Sequence, residues 1–197
     1  MLFRSGIVYV IYGPPAASSL DLATDYDASI VGGAASSYLG VGLGGGDVDG
    51  DGVEDVLLGS YYDGSFGGAA TVFYGPTGDL DETDASITVT GNAGDFTGNS
   101  IDARDLDGNG RGELLIGSPN TGGPGTAQLF YDIADGTYTT ADADASFNGE
   151  TNADAAGTAV RFADLDGDGE SEVYIGATGE ASVGPSGGAV YQVQPAN

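Results

Sequence analysis

The chain has 197 residues and carries 30 acidic residues against four basic ones, so its formal net charge is −26. It contains no histidine and no cysteine, which excludes a Ser-His-Asp triad, a histidine-ligated zinc site and a disulfide framework. A surface this negative repels phosphate backbones and anionic lipids, so we expect no nucleic-acid partner. No run of 18 apolar residues occurs, so we expect no membrane insertion.

The chain begins with an unassigned stretch, residues 1–5, and continues with a β-branched and aromatic segment from Gly6 to Tyr12. This segment is short and runs into a Gly-Pro turn, so the sequence predicts a strand and not a targeting signal. Val72-Phe73-Tyr74-Gly75-Pro76 later repeats the pattern of Val10-Ile11-Tyr12-Gly13-Pro14. The opening strand is therefore the first sign of an internal repeat.

Three acidic segments of one pattern recur along the chain. They begin at Asp47, Asp105 and Asp164, so they lie 58 and 59 residues apart. An Asp-Ala-Ser triplet precedes each segment, at residues 27–29, 84–86 and 144–146. Features that return in one order with one period indicate a tandem array of similar units.

We predict that each unit forms four short strands joined by glycine-rich turns. In the second unit the strands are expected at roughly 100–103, 113–117, 127–131 and 145–149. Apolar residues show no helical period, which predicts an all-β fold. The continuous apolar runs that follow the acidic segments are typical of strands covered on both faces, and they are found at 56–58, 114–116 and 173–175.

Two all-β architectures are consistent with these strands. A β-sandwich explains the strands, but only a propeller explains a period that carries the same loop three times. We therefore predict a partial β-propeller of about three four-stranded antiparallel blades. Because propellers close with four to eight blades, we expect an arc of a larger propeller whose remaining blades belong to the parent chain. The predicted repeat segment is 6–194, with units at roughly 28–84, 85–144 and 145–194, and with 6–14 as a strand of a preceding unit.

The acidic loops carry oxygen ligands in a spacing that suits calcium. Side-chain oxygens occupy loop positions 1, 3, 5 and 9, glycine at position 6 permits a sharp turn, and position 7 offers its backbone carbonyl. Converging carboxylates repel one another by roughly 4 kcal/mol per pair at an effective dielectric near 20, so we expect a cation to hold each loop closed. The predicted ligands are Asp47, Asp49, Asp51, Val53 and Asp55 in the first loop, Asp105, Asp107, Asn109, Arg111 and Glu113 in the second, and Asp164, Asp166, Asp168, Glu170 and Glu172 in the third.

We thus predict three Ca²⁺ sites. The second is expected to be the weakest, because it has one carboxylate fewer and an arginine at position 7. An EF-hand is excluded, since that loop needs a glutamate at position 12 and a following helix, whereas position 12 here is Leu58, Ile116 or Ile175. A single such loop is equally consistent with a solvated Asx-rich turn. Three copies, each with an acid at position 9, favour calcium.

The units resemble FG-GAP repeats, the β-propeller repeats of integrin α-subunit heads and of many bacterial surface proteins. The acidic loop matches the family pattern residue by residue in all three copies. The hallmark glycines are in place, but the flanking residues depart from the pattern, as in Leu39-Gly40, Thr97-Gly98 and Ala156-Gly157. The resemblance implies a seven-bladed propeller outside the cytoplasm, with structural calcium loops and ligands bound on the opposite face.

This resemblance predicts a calcium-binding module of a secreted or cell-surface protein, acting in adhesion or protein interaction. Its expected partners are a protein or glycan ligand and the remaining blades, and we expect no enzymatic activity of the module itself. The alternative is the propeller portion of an extracellular carbohydrate-active or lipid-cleaving enzyme. For that alternative, acid pairs such as Asp25/Asp27 or Asp142/Asp144 are candidates for two-carboxylate chemistry, although solvated surface acids are the simpler interpretation.

Overall fold

A computed structural model describes residues 6–13, 19–33, 37–60, 66–120, 122–179 and 187–194. The unassigned stretch 1–5 and residue 14 of the predicted opening segment lie outside these ranges. Among the described residues, no helix has the length and hydrophobicity needed to cross a membrane. The only helical segments described are two 3₁₀ turns, Glu82–Asp84 and Thr140–Asp142, so the predicted all-β fold is confirmed.

The described strands follow the predicted order closely, and in the second unit their ends differ from the prediction by one residue at most. They are β1 (Ile7–Val10), β2 (Ala28–Val31), β3 (Leu43–Gly46), β4 (Asp55–Ser60), β5 (Ala69–Phe73), β6 (Gly78–Asp81), β7 (Ile87–Thr90), β8 (Ser100–Arg104), β9 (Glu113–Ser118), β10 (Thr126–Phe130), β11 (Gly136–Thr139), β12 (Ala145–Asn148), β13 (Ala156–Ala163), β14 (Glu172–Ala177) and β15 (Ala189–Val193).

These strands form four open sheets. In the second sheet β3, β4, β5 and β7 pair antiparallel in that order, and in the third sheet β8, β9, β10 and β12 do the same. The first sheet contains β1 and β2, and the fourth contains β13, β14 and β15. Four-stranded antiparallel units in sequence are compatible with the predicted arc of a propeller. The repeat counted from residue 28, 85 or 145 begins with the outer strand of one sheet and continues into the next.

Two strands were not predicted. β6 pairs in parallel with β2, and β11 pairs in parallel with β7, so each adds a further strand to the outer edge of a sheet. Both come from the connection between the last two antiparallel strands of the following sheet. Because Gly-Asp-Leu-Asp and Gly-Thr-Tyr-Thr are polar and begin with glycine, their sequences indicated turns. The second and third sheets are thus each hydrogen-bonded to the preceding sheet through one parallel strand.

The hydrophobic core lies between the sheets, in one cluster per junction. Leu57 and Leu58 are neighbours in β4 and both are fully buried, yet Leu57 packs towards the third sheet and Leu58 towards the first. This confirms coverage on both faces for the runs at 56–58 and 114–116, whereas in the third run Val173 and Ile175 pack in one cluster and Tyr174 between them is half-buried. The junction between the second and third sheets is the largest cluster, with Val48, Leu57, Ala70, Val72, Ile87, Val89, Ile101, Ala103, Leu114, Ile116, Phe130 and Ile133.

Two of the hallmark glycines lie where neighbouring sheets approach each other closely. Gly98 has φ +84°, and a Cβ at this position would clash with the carbonyl oxygen of Ala69 in the preceding sheet. Gly157 has φ +87° and stands in the same way against the carbonyl of Thr126. Only glycine satisfies both the left-handed backbone and the close approach.

Candidate metal centres

Each acidic loop joins the first two strands of a sheet, so the three loops occupy equivalent places in the fold. In the first loop both carboxylate oxygens of Asp47 accept backbone hydrogen bonds, Oδ1 from Gly50 N and Oδ2 from Gly52 N, each at 2.8 Å. Asp105 and Asp164 accept the same two bonds in the second and third loops. The position-1 carboxylate therefore fixes the turn in every copy.

The side chains at positions 3 and 5 form Asx turns. Asp49 Oδ1 accepts from Asp51 N at 3.0 Å, and Asp51 Oδ1 accepts from Val53 N at 2.7 Å. The other two loops repeat both bonds. The turn-forming role that the sequence offered as the alternative is therefore real. It engages a single oxygen of each position-3 carboxylate, so the second oxygen of that group does not take part in the Asx turn.

Three carboxylates converge in each loop, with one oxygen from each lying within 4.8 Å of the others. Asp51 of the first loop and Glu172 of the third lie outside these groups. Val53, Arg111 and Glu170 were predicted to offer carbonyls, and their N–H groups donate to the position-5 side chains. The converging groups are Asp47, Asp49 and Asp55 in the first loop, Asp105, Asp107 and Glu113 in the second, and Asp164, Asp166 and Asp168 in the third.

The position-9 acids are buried, and two of them have an oxygen without a partner. Glu113 and Glu172 are fully buried. Glu113 Oε2 accepts from Leu106 N at 2.6 Å, whereas Glu113 Oε1 has no hydrogen-bond partner among the described residues, and the same holds for Glu172 Oε1. Burial raises the pKa of Glu113, while the bond from Leu106 lowers it. An unpaired buried carboxylate oxygen is costly, and a cation beside it would remove that cost.

The position-9 acid of the first loop has different hydrogen-bond partners. Asp55 is also buried, but its two oxygens accept from Val48 N at 2.8 Å and from Gly75 N at 3.0 Å. Burial raises the pKa of Asp55 above its ordinary value, and these two hydrogen bonds offset only part of that increase. The donor set of the chain thus fits a hard cation most clearly at the second loop, where a converging group includes an acid with an unpartnered oxygen.

Tyrosines adjoin the second and third loops, although the sequence pattern did not predict them there. Tyr174 donates its hydroxyl to Glu172 Oε2 at 3.2 Å. Burial and then the charges of Glu113 and Asp107 raise the pKa of the Tyr131 hydroxyl. The sequence feature that could have predicted this position is that Tyr131 directly follows β10, which belongs to the same sheet as the second acidic loop.

The first two loops are joined directly. Gly112 N donates to the carbonyl of Asp47 at 2.7 Å. Arg111 Nη1 donates to the carbonyl of Asp49 at 3.0 Å, and its Nη2 donates to Ile133 O at 3.3 Å. The guanidinium that was predicted to weaken the second site thus forms its hydrogen bonds with the first loop and with the β10–β11 connection.

An ion pair joins the first strands of the third and fourth sheets close to these loops. Asp102 is 6% exposed, and its Oδ1 accepts from Arg161 Nη1 at 2.9 Å while its Oδ2 accepts from Phe162 N at 2.8 Å. Arg104 lies near them, in the same cleft as Asp47 and Asp105. Among the described residues, Arg104 forms no ion pair.

The acid pairs considered for the enzymatic alternative bind backbone in turns. Asp25 accepts from Asp21 N, Asp27 from Tyr12 N and Asp144 from Tyr131 N. Asp142 accepts from the N–H and hydroxyl of Thr139, and these bonds lower its pKa. All four acids therefore have a structural role in the described turns.

Comparison with known families agrees with the architecture and with the loops. Residues 105–175 match the family of the FG-GAP-like repeat. The matched segment begins at position 1 of the second loop, ends in β14 and includes the third loop. It confirms, over these residues, the predicted resemblance to FG-GAP repeat proteins. A comparison with curated proteins gives no match.

Proposed function

We propose that this chain is a calcium-binding FG-GAP propeller module of a secreted or cell-surface protein, acting in adhesion or protein interaction. The observation that supports this most directly is the buried, unpartnered Oε1 of Glu113 beside the converging carboxylates of Asp105 and Asp107. Ca²⁺ takes six to eight oxygen ligands and tolerates irregular geometry, which suits a loop rich in carboxylates. The predicted ligands at positions 1, 3, 5, 7 and 9 would hold it in each loop.

In this proposal the cation stabilises the blades and does not take part in a reaction. Each loop connects the first two strands of a sheet, and the first two loops are hydrogen-bonded to each other through Gly112 and Arg111. A cation that neutralises the carboxylates would hold these loops in the closed form. It would also reduce the repulsion within a chain of net charge −26.

The proposed partners are a protein or glycan ligand and the remaining blades of the parent chain. The residue at position 2 of the loops supports the proposal of further blades. Val48, at this position in the first loop, is 1% exposed and packs at the junction with the third sheet. Leu165 occupies the same position in the third loop and is 72% exposed. A further sheet on this face would cover Leu165 as the third sheet covers Val48. The net charge argues against nucleic acid.

Thermal unfolding in calcium and in excess chelator tests the calcium part of this proposal. We expect a higher midpoint in calcium for the full chain, since a ligand that binds only the folded state stabilises it. Glu113→Gln should reduce this increase. Glu54→Gln is the matched control, because this substitution removes the same charge from an exposed position in the first loop. Equal midpoints in calcium and chelator for the unmodified chain would contradict the proposal.

A further inference from the structure

The outer edges of three sheets can be compared directly, because β2, β7 and β12 are equivalent strands. Their partners β1, β5 and β10 pair with them antiparallel in the same register. This register makes Ile30, Val89 and Phe147 equivalent positions. The outer edge of β2 carries β6 and that of β7 carries β11, whereas no described strand covers the outer edge of β12.

The two covering strands use one register. Gly78 lies opposite Ala28 and Leu80 lies opposite Ile30. In the next junction Gly136 lies opposite Ile87, and Tyr138 lies opposite Val89. Both covering strands therefore have the pattern glycine, polar residue, large apolar or aromatic residue, polar residue.

Side chains add to this pairing. Ser29 Oγ donates to Asp79 Oδ1 at 2.7 Å, and Thr90 Oγ1 donates to the carbonyl of Tyr138 at 3.2 Å. Leu80 and Tyr138 also pack against the hydrophobic clusters of their junctions. The covering strand thus contributes hydrogen bonds to the edge and one large side chain to the core.

At β12 both of these contributions are missing among the described residues. Ile30 and Val89 are fully buried, while Phe147 is only half-buried and Ser146 is exposed. A cavity of about 200 Å³ adjoins the strand. We call the outer edge of β12 together with this cavity the β12 groove, and its cavity is lined mainly by Leu129, Tyr131, Ala145, Phe147, Val173 and Val193.

We propose that the β12 groove binds an extended segment of FG-GAP-like repeat sequence, equivalent in the fourth sheet to β6 in the second and β11 in the third. The segment pairs in parallel with β12, places glycine opposite Ala145 and inserts a leucine or tyrosine side chain opposite Phe147. The argument is continuity with two interfaces inside the chain, where the same edge accepts the same pattern in the same register. This inference rests on the proposed presence of further repeat sequence and does not require calcium.

The probe is a synthetic peptide of residues 134–144, which contains β11, with blocked ends. It is added to the full-length chain in calcium and in chelator, and backbone amide shifts are followed by NMR. We expect the largest shifts at residues 145–148. The matched peptide with Tyr138→Ser should bind at least about tenfold more weakly, because it lacks the apolar side chain that fills the groove. In this comparison the protein is unchanged, so folding of a variant is not a concern.

A protein variant gives an independent test. Phe147→Asp should abolish binding of the peptide, whereas Val190→Asp, which adds the same charge at a 73% exposed apolar residue, should leave it unchanged. If the free peptide binds with low affinity, it can be appended after residue 197 through a Gly/Ser linker, which raises its effective concentration to about the millimolar range. The appended segment should then slow amide exchange in β12, and its Tyr138→Ser form should not.

Three results would overturn the inference. Equal exchange of β12 with the appended Tyr and Ser segments would show that the groove accepts no such strand. Shifts confined to residues 87–90 would show exchange with the chain's own β11. Concentration-dependent dimerisation that protects β12 without any peptide would assign the groove to a second copy of the chain. None of these results depends on whether calcium raises the unfolding midpoint, so the two proposals can fail separately.

Discussion

Arg111 Nη1 lies 3.0 Å from the carbonyl oxygen of Asp49, so a side chain of the second acidic loop is hydrogen-bonded to the backbone of the first. The adjacent Gly112 N–H binds the carbonyl of Asp47. Two neighbouring residues of one loop thus contact two residues of the other. The two candidate metal centres are parts of one hydrogen-bonded structure, although 58 residues separate equivalent positions in the sequence.

Replacing Arg111 should weaken this junction. Arg111→Met removes the bonds to Asp49 O and Ile133 O, and we expect a loss of about 1–3 kcal/mol in the free energy of unfolding, since charged donors are involved. Urea unfolding at constant calcium measures it. Arg104→Met is the control, because Arg104 forms no ion pair among the described residues and should cost about 0.5 kcal/mol or less. Similar losses for both variants would contradict a specific role for Arg111.

The glycine at the sheet junction should be far less replaceable than a glycine in an acidic loop. Gly98 and Gly52 have φ values of +84° and +87°, so Ala at either position costs roughly 1–2 kcal/mol of backbone strain. In the part of the chain that the structure describes, a Cβ at Gly52 meets nothing within 4 Å, whereas one at Gly98 meets the carbonyl of Ala69. We expect Gly98→Ala to cost a further ~1–3 kcal/mol from overpacking. Equal costs in urea unfolding would contradict the close approach of the two sheets.

The pairing of Asp102 should depend more on the backbone than on the salt bridge. Asp102→Ala leaves the buried Phe162 N–H without an acceptor, which costs about 1–3 kcal/mol. Arg161→Ala removes a guanidinium whose side chain is 67% exposed, so we expect a loss of about 0–1 kcal/mol. Chemical unfolding of both variants, compared at low and high salt, measures the difference. A larger loss for Arg161→Ala would contradict this order.

The pH dependence of stability should reverse when calcium is bound. Burial raises the folded-state pKa of Glu113. A carboxyl with a raised pKa contributes stability that is fully present below its unfolded value, about 4.3, and is lost as pH rises through the folded value. The metal-free chain should therefore gain stability as pH falls from about 7 towards about 5. In calcium the same change should reduce stability, because protons compete with the metal for the carboxylates.

Thermal unfolding across this pH range, in chelator and in calcium, checks the prediction. The slope that belongs to Glu113 is the difference between the unmodified chain and Glu113→Gln, since the other carboxyls titrate in both. Glu54→Gln, with its exposed side chain, should leave the slope unchanged. A Glu113→Gln slope equal to that of the unmodified chain in both conditions would contradict the assignment.

The repeat made most of the architecture predictable from the sequence. The period of 58 and 59 residues located the loops, and the runs around Leu57 and Leu115 predicted strands covered on both faces. β6 and β11 escaped prediction, because their stability comes from pairing with a strand of the preceding sheet and not from local propensity. A polar four-residue segment gives no local signal of such a partner.

The candidate metal centres were predictable as a pattern but not as a geometry. Ligand spacing identified the loops, and three carboxylates converge in each. That Glu113 would be buried with one unpartnered oxygen, while both oxygens of Asp55 accept backbone bonds, depends on what the surrounding sheets place beside them. The contact of Arg111 with Asp49 likewise requires the packing of two sheets, which no spacing within one loop specifies.

Calorimetric titration of the intact, metal-free chain with Ca²⁺ tests the central claim most directly. We expect saturable binding at three sites, with Glu113→Gln losing the heat of the second loop alone. A folded chain that shows no saturable heat on addition of Ca²⁺ would contradict the assignment of the acidic loops as metal centres.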